Sequence, residues 1–318
     1  MKQIKSPALF IMAISLCVAC QKTDEQPLIS RLEVVTAKDH SDQTIEDSFP
    51  PILHVEGWQE PVPLAGPINT SGGEDSPFFD AATNTMYFFF TPNTQLPAEQ
   101  QLGDGLTGIY SSILMDEGWS EPQRVWLNPQ GGYALDGCPT MSGNTLWFCS
   151  IREGNYRSID FWKVTLIDGT WQNIHNAGER LNLQVGVGEL DINKSQTEII
   201  FHANLPGGKG ENDLWATDLK DGKWSEPYNL TTINSEADDS RPFLSMDGQE
   251  LWFTRTYQGS PAIYCSQWDG EQWGSPELVI SQLAGEPTLD PEGNIYFVHH
   301  FVRDGSIVDA DIYIAIKK

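Results

Sequence analysis

The chain of 318 residues sets 19 Lys and Arg against 44 Asp and Glu, a formal net charge of −25. Such a field repels phosphate backbones and anionic headgroups, which argues against nucleic acid and against direct electrostatic membrane binding. Hydrophobic residues make up 39% and aromatics 11%, and 28 Gly and 20 Pro follow no G-X-Y period, so collagen, coiled coil and wholesale disorder are excluded in favour of a turn-rich globular chain.

Lys2 and Lys5 precede an apolar run from Ala8 to Ala19, which has the layout of a secretory signal and is too short for a membrane span. It ends in Leu16-Cys17-Val18-Ala19-Cys20, which resembles a bacterial lipobox. That resemblance implies a signal peptide over residues 1–19 and lipidation of Cys20, with simple signal-peptidase cleavage as the alternative. The lipid would anchor the chain in the cell envelope, at the outer membrane, and would be its only membrane contact. Residues 20–50 are polar apart from a short patch of Leu32, Val34 and Val35, and read as a tether without chemistry. The folded domain is expected over residues 51–318.

Internal repetition dominates the rest. An apolar, aromatic-rich element recurs as Met86-Tyr87-Phe88, Leu146-Trp147-Phe148, Ile199-Ile200-Phe201, Leu251-Trp252-Phe253 and Ile295-Tyr296-Phe297. Each copy follows a turn rich in Asn, Asp or Gly, and before the turn lies a short strand begun by Pro77, Pro139, Pro242 or Pro287, or by Leu190 in the third copy. Two short strands about a tight turn predict a hairpin. A third element follows at Gly108-Ile109-Tyr110, Asp160-Phe161-Trp162, Asp213-Leu214-Trp215, Ala262-Ile263-Tyr264 and Asp311-Ile312-Tyr313. A fourth carries Trp119, Trp171, Trp224 or Trp273.

Four short strands in each of five repeats predict an all-β chain, a five-bladed β-propeller. The fifth repeat stops without its Trp strand, and an unpaired one, Gly57-Trp58-Gln59-Glu60-Pro61, precedes the first. Pairing this N-terminal strand into the last blade would close the ring and leave no open edge. The repeats resemble the PD40 or WD40-like family of TolB-type propellers, most clearly at Ile233-Asn234-Ser235 and the run from Asp239 to Phe253. That resemblance implies the propeller but not one function, since the family spans binding platforms, assembly factors and propellers fused to hydrolases.

Cys138, Cys149 and Cys265 remain after processing, an odd number that leaves at least one unpaired within a monomer. A hairpin about Ser142-Gly143-Asn144 sets Cys138 and Cys149 opposite one another, as a cross-strand disulfide or as two buried thiols. No CxxC or Cys/His spacing suggests a metal such as zinc, there is no EF-hand loop for calcium, and no cofactor is implied.

Reading back from the Pro of each innermost strand, the residues one position before it are Ser76, Cys138, Glu189, Arg241 and Glu286, and those three before it include Glu74, Asp136 and Asp239. Strand alternation puts both sets on one face, which gathers carboxylates and one guanidinium around a central funnel. Just past the second strands come Arg152, His202, Arg255, His299 and His300, and Tyr133 sits in a loop outside the repeat. Two functions fit. A tethered monomeric scaffold would bind a glycan, peptide or protein partner of the envelope through Glu74, Arg241, Asp239, Arg152, His202, Arg255, His299 and Tyr133. A glycoside hydrolase would instead use Glu189, Glu286 and Asp136 on an acidic or furanoside sugar, with convergent carboxylates separating acid from base. Against both stands a structural role, in which the deeper acids cap loops or bridge blades. The once-per-repeat tryptophans are expected in inter-blade packing rather than sugar stacking.

Overall fold

The computed structural model describes residues 30–36, 47–102, 104–127 and 134–318, so the expected export signal, Cys20 and Tyr133 lie outside the described residues. Nearly all of it is β-structure in repeated antiparallel meanders of the β-propeller type. The expected hairpins are Gly73–Asp80 with Thr85–Thr91, Leu135–Ser142 with Thr145–Ile151, Leu190–Ile192 with Glu198–Ala203, Asp239–Leu244 with Glu250–Tyr257, and Ala284–Leu289 with Ile295–Arg303. Each turn holds a residue in the left-handed region, at Asn84, Gly143, Gln196, Gly248 and Gly293, which suits the twist of a tight hairpin.

The third strands are Gly108–Met115, Asp160–Ile167, Asp213–Lys220, Ser260–Gln267 and Ser306–Ala315. Beyond them Thr170–Asn176 is a full fourth strand, whereas the Trp119 and Trp224 elements are shorter than the sequence suggests. Gly118–Trp119 and Lys223–Trp224 only turn the corner at the end of a third strand, and Gln123–Arg124 and Tyr228–Asn229 resume the pairing. Their indoles pack between repeats: Trp171 stands edge-on to Tyr87, Trp224 to Trp147, and Trp119 to Phe79 and Tyr296.

The N-terminal part of the domain runs along two neighbouring meanders. Ile52–Leu53 pairs with Glu277–Ser281, Trp58 bridges Lys317, and Val62–Pro63 pairs with Ser306–Ala315. Among the described residues the strands form four sheets, one of them nine-stranded through a parallel bridge between Ala310 and Gly73. The first strands touch in chain order, from Gly73–Asp80 through Leu135–Ser142, Leu190–Ile192 and Asp239–Leu244 to Ala284–Leu289, which touches Gly73–Asp80 again.

Hydrogen bonds tie these neighbours at their inner ends. Thr140 Oγ1 donates to the Leu190 carbonyl (3.2 Å), Leu244 N to Asp191 Oδ2 (2.7 Å), Glu286 N to Thr254 Oγ1 (2.9 Å) and Phe79 N to Thr288 Oγ1 (3.1 Å). Three buried asparagines repeat a further clasp. Asn182, Asn234 and Asn69 each accept from the N–H and donate to the carbonyl of one third-strand residue, respectively Phe161, Leu214 and Ile312.

Candidate functional site

The pairing register slips in four of the first strands just before the proline, between Asp75 and Phe78, Gly137 and Thr140, Ser240 and Phe243, and Gly285 and Thr288. Each slip is a β-bulge whose extra residue is left-handed: Ser76 (φ 49°), Cys138 (φ 49°), Arg241 (φ 51°) and Glu286 (φ 56°). A non-glycine residue held there costs on the order of 1 kcal/mol or more, so its recurrence at one level calls for a reason. The bulge breaks strand alternation, so residues one and three before the proline no longer share a face.

Ser76, Cys138, Glu189, Arg241 and Glu286 line one small cavity where the first strands meet. Its volume is about 40 Å³, room for roughly three waters and not for a sugar ring. Arg241 Nε lies 2.6 Å from Glu286 Oε1 and 3.4 Å from Glu189 Oε1, as ion contacts without aligned hydrogen-bond geometry. More than a third of the Arg241 side chain (37%) is exposed, whereas Glu286 is buried and its Oε2 has no partner.

Burial, then the charges of Asp75 and Glu189, push the Glu286 carboxyl well above the usual range. Glu189 is raised as well, mainly by burial, and the two glutamates hold the Arg241 guanidinium firmly charged. Asp75 joins the cluster, a residue absent from the expected set. Although burial pushes it up, His300, whose Nε2 lies 3.8 Å away, and Arg241 bring it down to about 2. The cluster therefore holds more carboxyl groups than guanidinium groups, with burial and its acidic neighbours shifting Glu286 towards its protonated form. The hydrolase expectation finds no support here, because both of its glutamates face one guanidinium nitrogen beside a cavity too small for a sugar ring.

The deeper acids are elsewhere. Asp136 is buried, accepting from Arg152 Nη2 (2.6 Å) and Ser150 Oγ (2.7 Å), and Asp239 is buried against Arg255 Nε (2.5 Å) with Ser235 N donating to its other oxygen (2.6 Å). The arginine planes lie on rings of their own meander, Arg152 over Phe148 and Trp162, Arg255 over Phe253 and Tyr264. Glu74 has the same Thr70-to-acid spacing as Ser235 to Asp239, with Thr70 N donating at 2.9 Å, but its own second strand puts Phe90 where Arg255 would be. The cation comes instead from Arg31, which donates to Glu74 Oε1 (3.2 Å) and the Ile68 carbonyl (2.8 Å) over Phe88 and Phe90. Part of the expected tether is thus packed into the first meander, since a buried acid needs a cation. Burial still pushes Glu74 up to about 8. In the fifth meander the acid is replaced by Ala284, and Asp47 reaches buried His299 at 3.2 Å. Glu74, Asp136, Asp239, Arg152, Arg255 and His299 are thus paired within the meanders and do not line the axial cavity.

His202 belongs to the axial region. Its Nδ1 accepts from Arg241 N (3.3 Å), and a Cβ at Gly188 would overlap its ring. Burial and then the Arg241 charge lower it to about 4, so it stands neutral. A second, larger cleft of about 490 Å³ lies off the axis, bordered by Phe49, His54, Tyr257, Gln282 and Leu283. Among the described residues no cluster of His, Cys, Asp and Glu could hold a metal ion, and no helix is long and apolar enough to cross a membrane.

No family model matches the chain, and no curated relative does. Among solved structures it is similar to TolB from Acinetobacter baumannii, with 13% identity over 79% of this chain and 56% of that one at a TM-score of 0.46. The chain thus spans little more than half of that TolB. A protein of unknown function from Dyadobacter fermentans gives 13% identity over 83% and 100% of the two chains at 0.47. A chain of a nidogen/laminin complex gives 10% identity over 75% and 79% at 0.42. At these identities and TM-scores the likeness does not extend to activity or partner.

Proposed function

We propose that the chain is an exported, lipid-anchored scaffold, a five-bladed β-propeller closed by its N-terminal strand, that binds a protein or peptide partner at the axial mouth through a basic group of that partner. Five blades follow if the nine-stranded sheet is divided at the bridge between Ala310 and Gly73, and closure is supported by the pairing of Val62–Pro63 with Ser306–Ala315. The indoles agree with that count. Trp224 of the third meander packs on the second and Trp171 of the second on the first, and Trp58, packed edge-on to Trp252 of the fourth, then serves the fifth. The lipid anchor rests on the lipobox-like run ending at Cys20.

One observation carries the binding reading: left-handed residues converge on a cavity where Glu189 and Glu286 outnumber Arg241, with the charge of Asp75 close enough to act on Glu286. A Lys or Arg side chain at the mouth would meet more carboxyl groups than guanidinium groups, and its charge would favour the ionised form of Glu286. Carboxylate sugars are disfavoured for the same reason. Fluorescence anisotropy with labelled peptides bearing lysine, neutral or glutamate side chains tests this. Lysine peptides should bind, more tightly as pH rises and at least tenfold more weakly to the Glu189→Gln, Glu286→Gln double variant. Preference for glutamate peptides, or equal affinity for all three, would overturn the reading.

A further inference from the structure

Cys138 is the bulge residue of the second meander and lines the axial cavity beside Glu189 and Arg241. On the neighbouring strand Cys149 stands opposite Gly137, with its Sγ 3.5 Å from where a Cβ at Gly137 would be. The left-handed turn at Cys138 (φ 49°) swings its sulfur back towards the same point, and the two Sγ atoms approach to 2.7 Å. Both cysteines are unbridged. Cys265 is buried in a separate hydrophobic cluster.

We propose that Cys138 and Cys149 form an oxidation site that closes to a cross-strand disulfide under small hydroperoxides. The cavity selects the oxidant by size, because a space for roughly three waters admits hydrogen peroxide and excludes a peptide disulfide such as oxidised glutathione. Cys138 reacts first, since it faces the cavity. Its thiolate attacks one peroxide oxygen, the O–O bond breaks, and the sulfenic acid of Cys138 forms as hydroxide leaves and takes up the thiol proton to become water. The Cys149 sulfur then attacks the Cys138 sulfur, the S–O bond breaks, and the hydroxyl leaves as a second water with the Cys149 proton. Two thiols and one peroxide give one disulfide and two waters. The hydrogen bond to Cys149, burial and the two glutamates raise the Cys138 thiol, so the site is slow and answers to peroxide stress rather than to trace oxidant.

The sequence offers a direct readout, because no Lys or Arg separates the two cysteines and one tryptic peptide, residues 125–152, contains both. Reduced full-length protein is treated with hydrogen peroxide, denatured, alkylated and digested. That peptide should appear two hydrogens lighter with neither cysteine alkylated, while Cys265 is fully alkylated; oxidised glutathione in place of peroxide should leave all three alkylated. In Cys149→Ser, Cys138 should accumulate as a sulfenic acid trapped by dimedone. Cys138 and Cys149 alkylated to the same extent as Cys265 after peroxide, or Cys138 passing to sulfinic acid in the wild type as readily as in Cys149→Ser, would overturn the proposal.

Discussion

The acids three residues before the innermost prolines and the residues one before them lie two positions apart in sequence and behave as different materials. Asp136 and Asp239 each have one arginine of their own meander, a hydroxyl or backbone donor and a pair of aromatic rings. One level on, Glu189 and Glu286 share Arg241 across three meanders, with an unpartnered oxygen and an arginine side chain more than a third exposed. A charge satisfied inside its own repeat is architecture, and one shared between repeats around a cavity is available to a ligand. Composition alone could not separate them.

The largest effect should come from breaking a complete socket. Arg255→Ala leaves Asp239 buried and unpaired and is expected to cost about 3–5 kcal/mol, read from the urea midpoint. Arg31→Ala should cost less, about 2 kcal/mol, because Glu74 with a pKa of about 8 is mostly protonated at pH 7 even beside Arg31, so no buried charge is left unpaired and the loss is hydrogen bonds and ring contacts. A cost as large as that of Arg255→Ala would mean Glu74 stays ionised. The smallest effect is a slope. His202 is depressed from 6.5 to about 4 in the folded chain, so the unfolded chain binds more protons between those values and stability falls as pH drops through that window. His202→Gln should flatten the stability profile between pH 6.5 and 4 and leave it unchanged above pH 7. An unaltered slope in the variant would assign the acid sensitivity to another group.

The repeat, its hairpins and the packing role of the tryptophans were legible, because turn residues and aromatic pairs recur at the same offsets and each answers to a local rule. The pairing of Val62–Pro63 with Ser306–Ala315 was signalled by an unmatched Trp strand at one end and a missing one at the other. The funnel was legible only in half. Counting alternation back from each proline placed Cys138, Glu189, Arg241 and Glu286 together, and they line the axial cavity, but it assumed a regular strand, and the bulge at that position leaves Glu74, Asp136 and Asp239 off the cavity lining. The same break hid Asp75. Arg31 and Asp47 were hidden for another reason: a polar stretch reads as solvated until a repeat lacking its own partner is noticed, as Phe90 in place of an arginine and Ala284 in place of an acid would have allowed.

The central claim is that the deeper acids hold the fold and the axial ones do not. Equilibrium urea unfolding at pH 7 of two isosteric double variants tests it directly. Asp136→Asn with Asp239→Asn should lose several kcal/mol, since each removes the charge opposite a buried arginine. Glu189→Gln with Glu286→Gln should stay within about 1 kcal/mol of the wild type or exceed it, because burial already disfavours the charged form of both glutamates and more than a third of the Arg241 side chain is exposed. A glutamine pair as destabilised as the asparagine pair would make the axial cluster part of the frame and contradict the account.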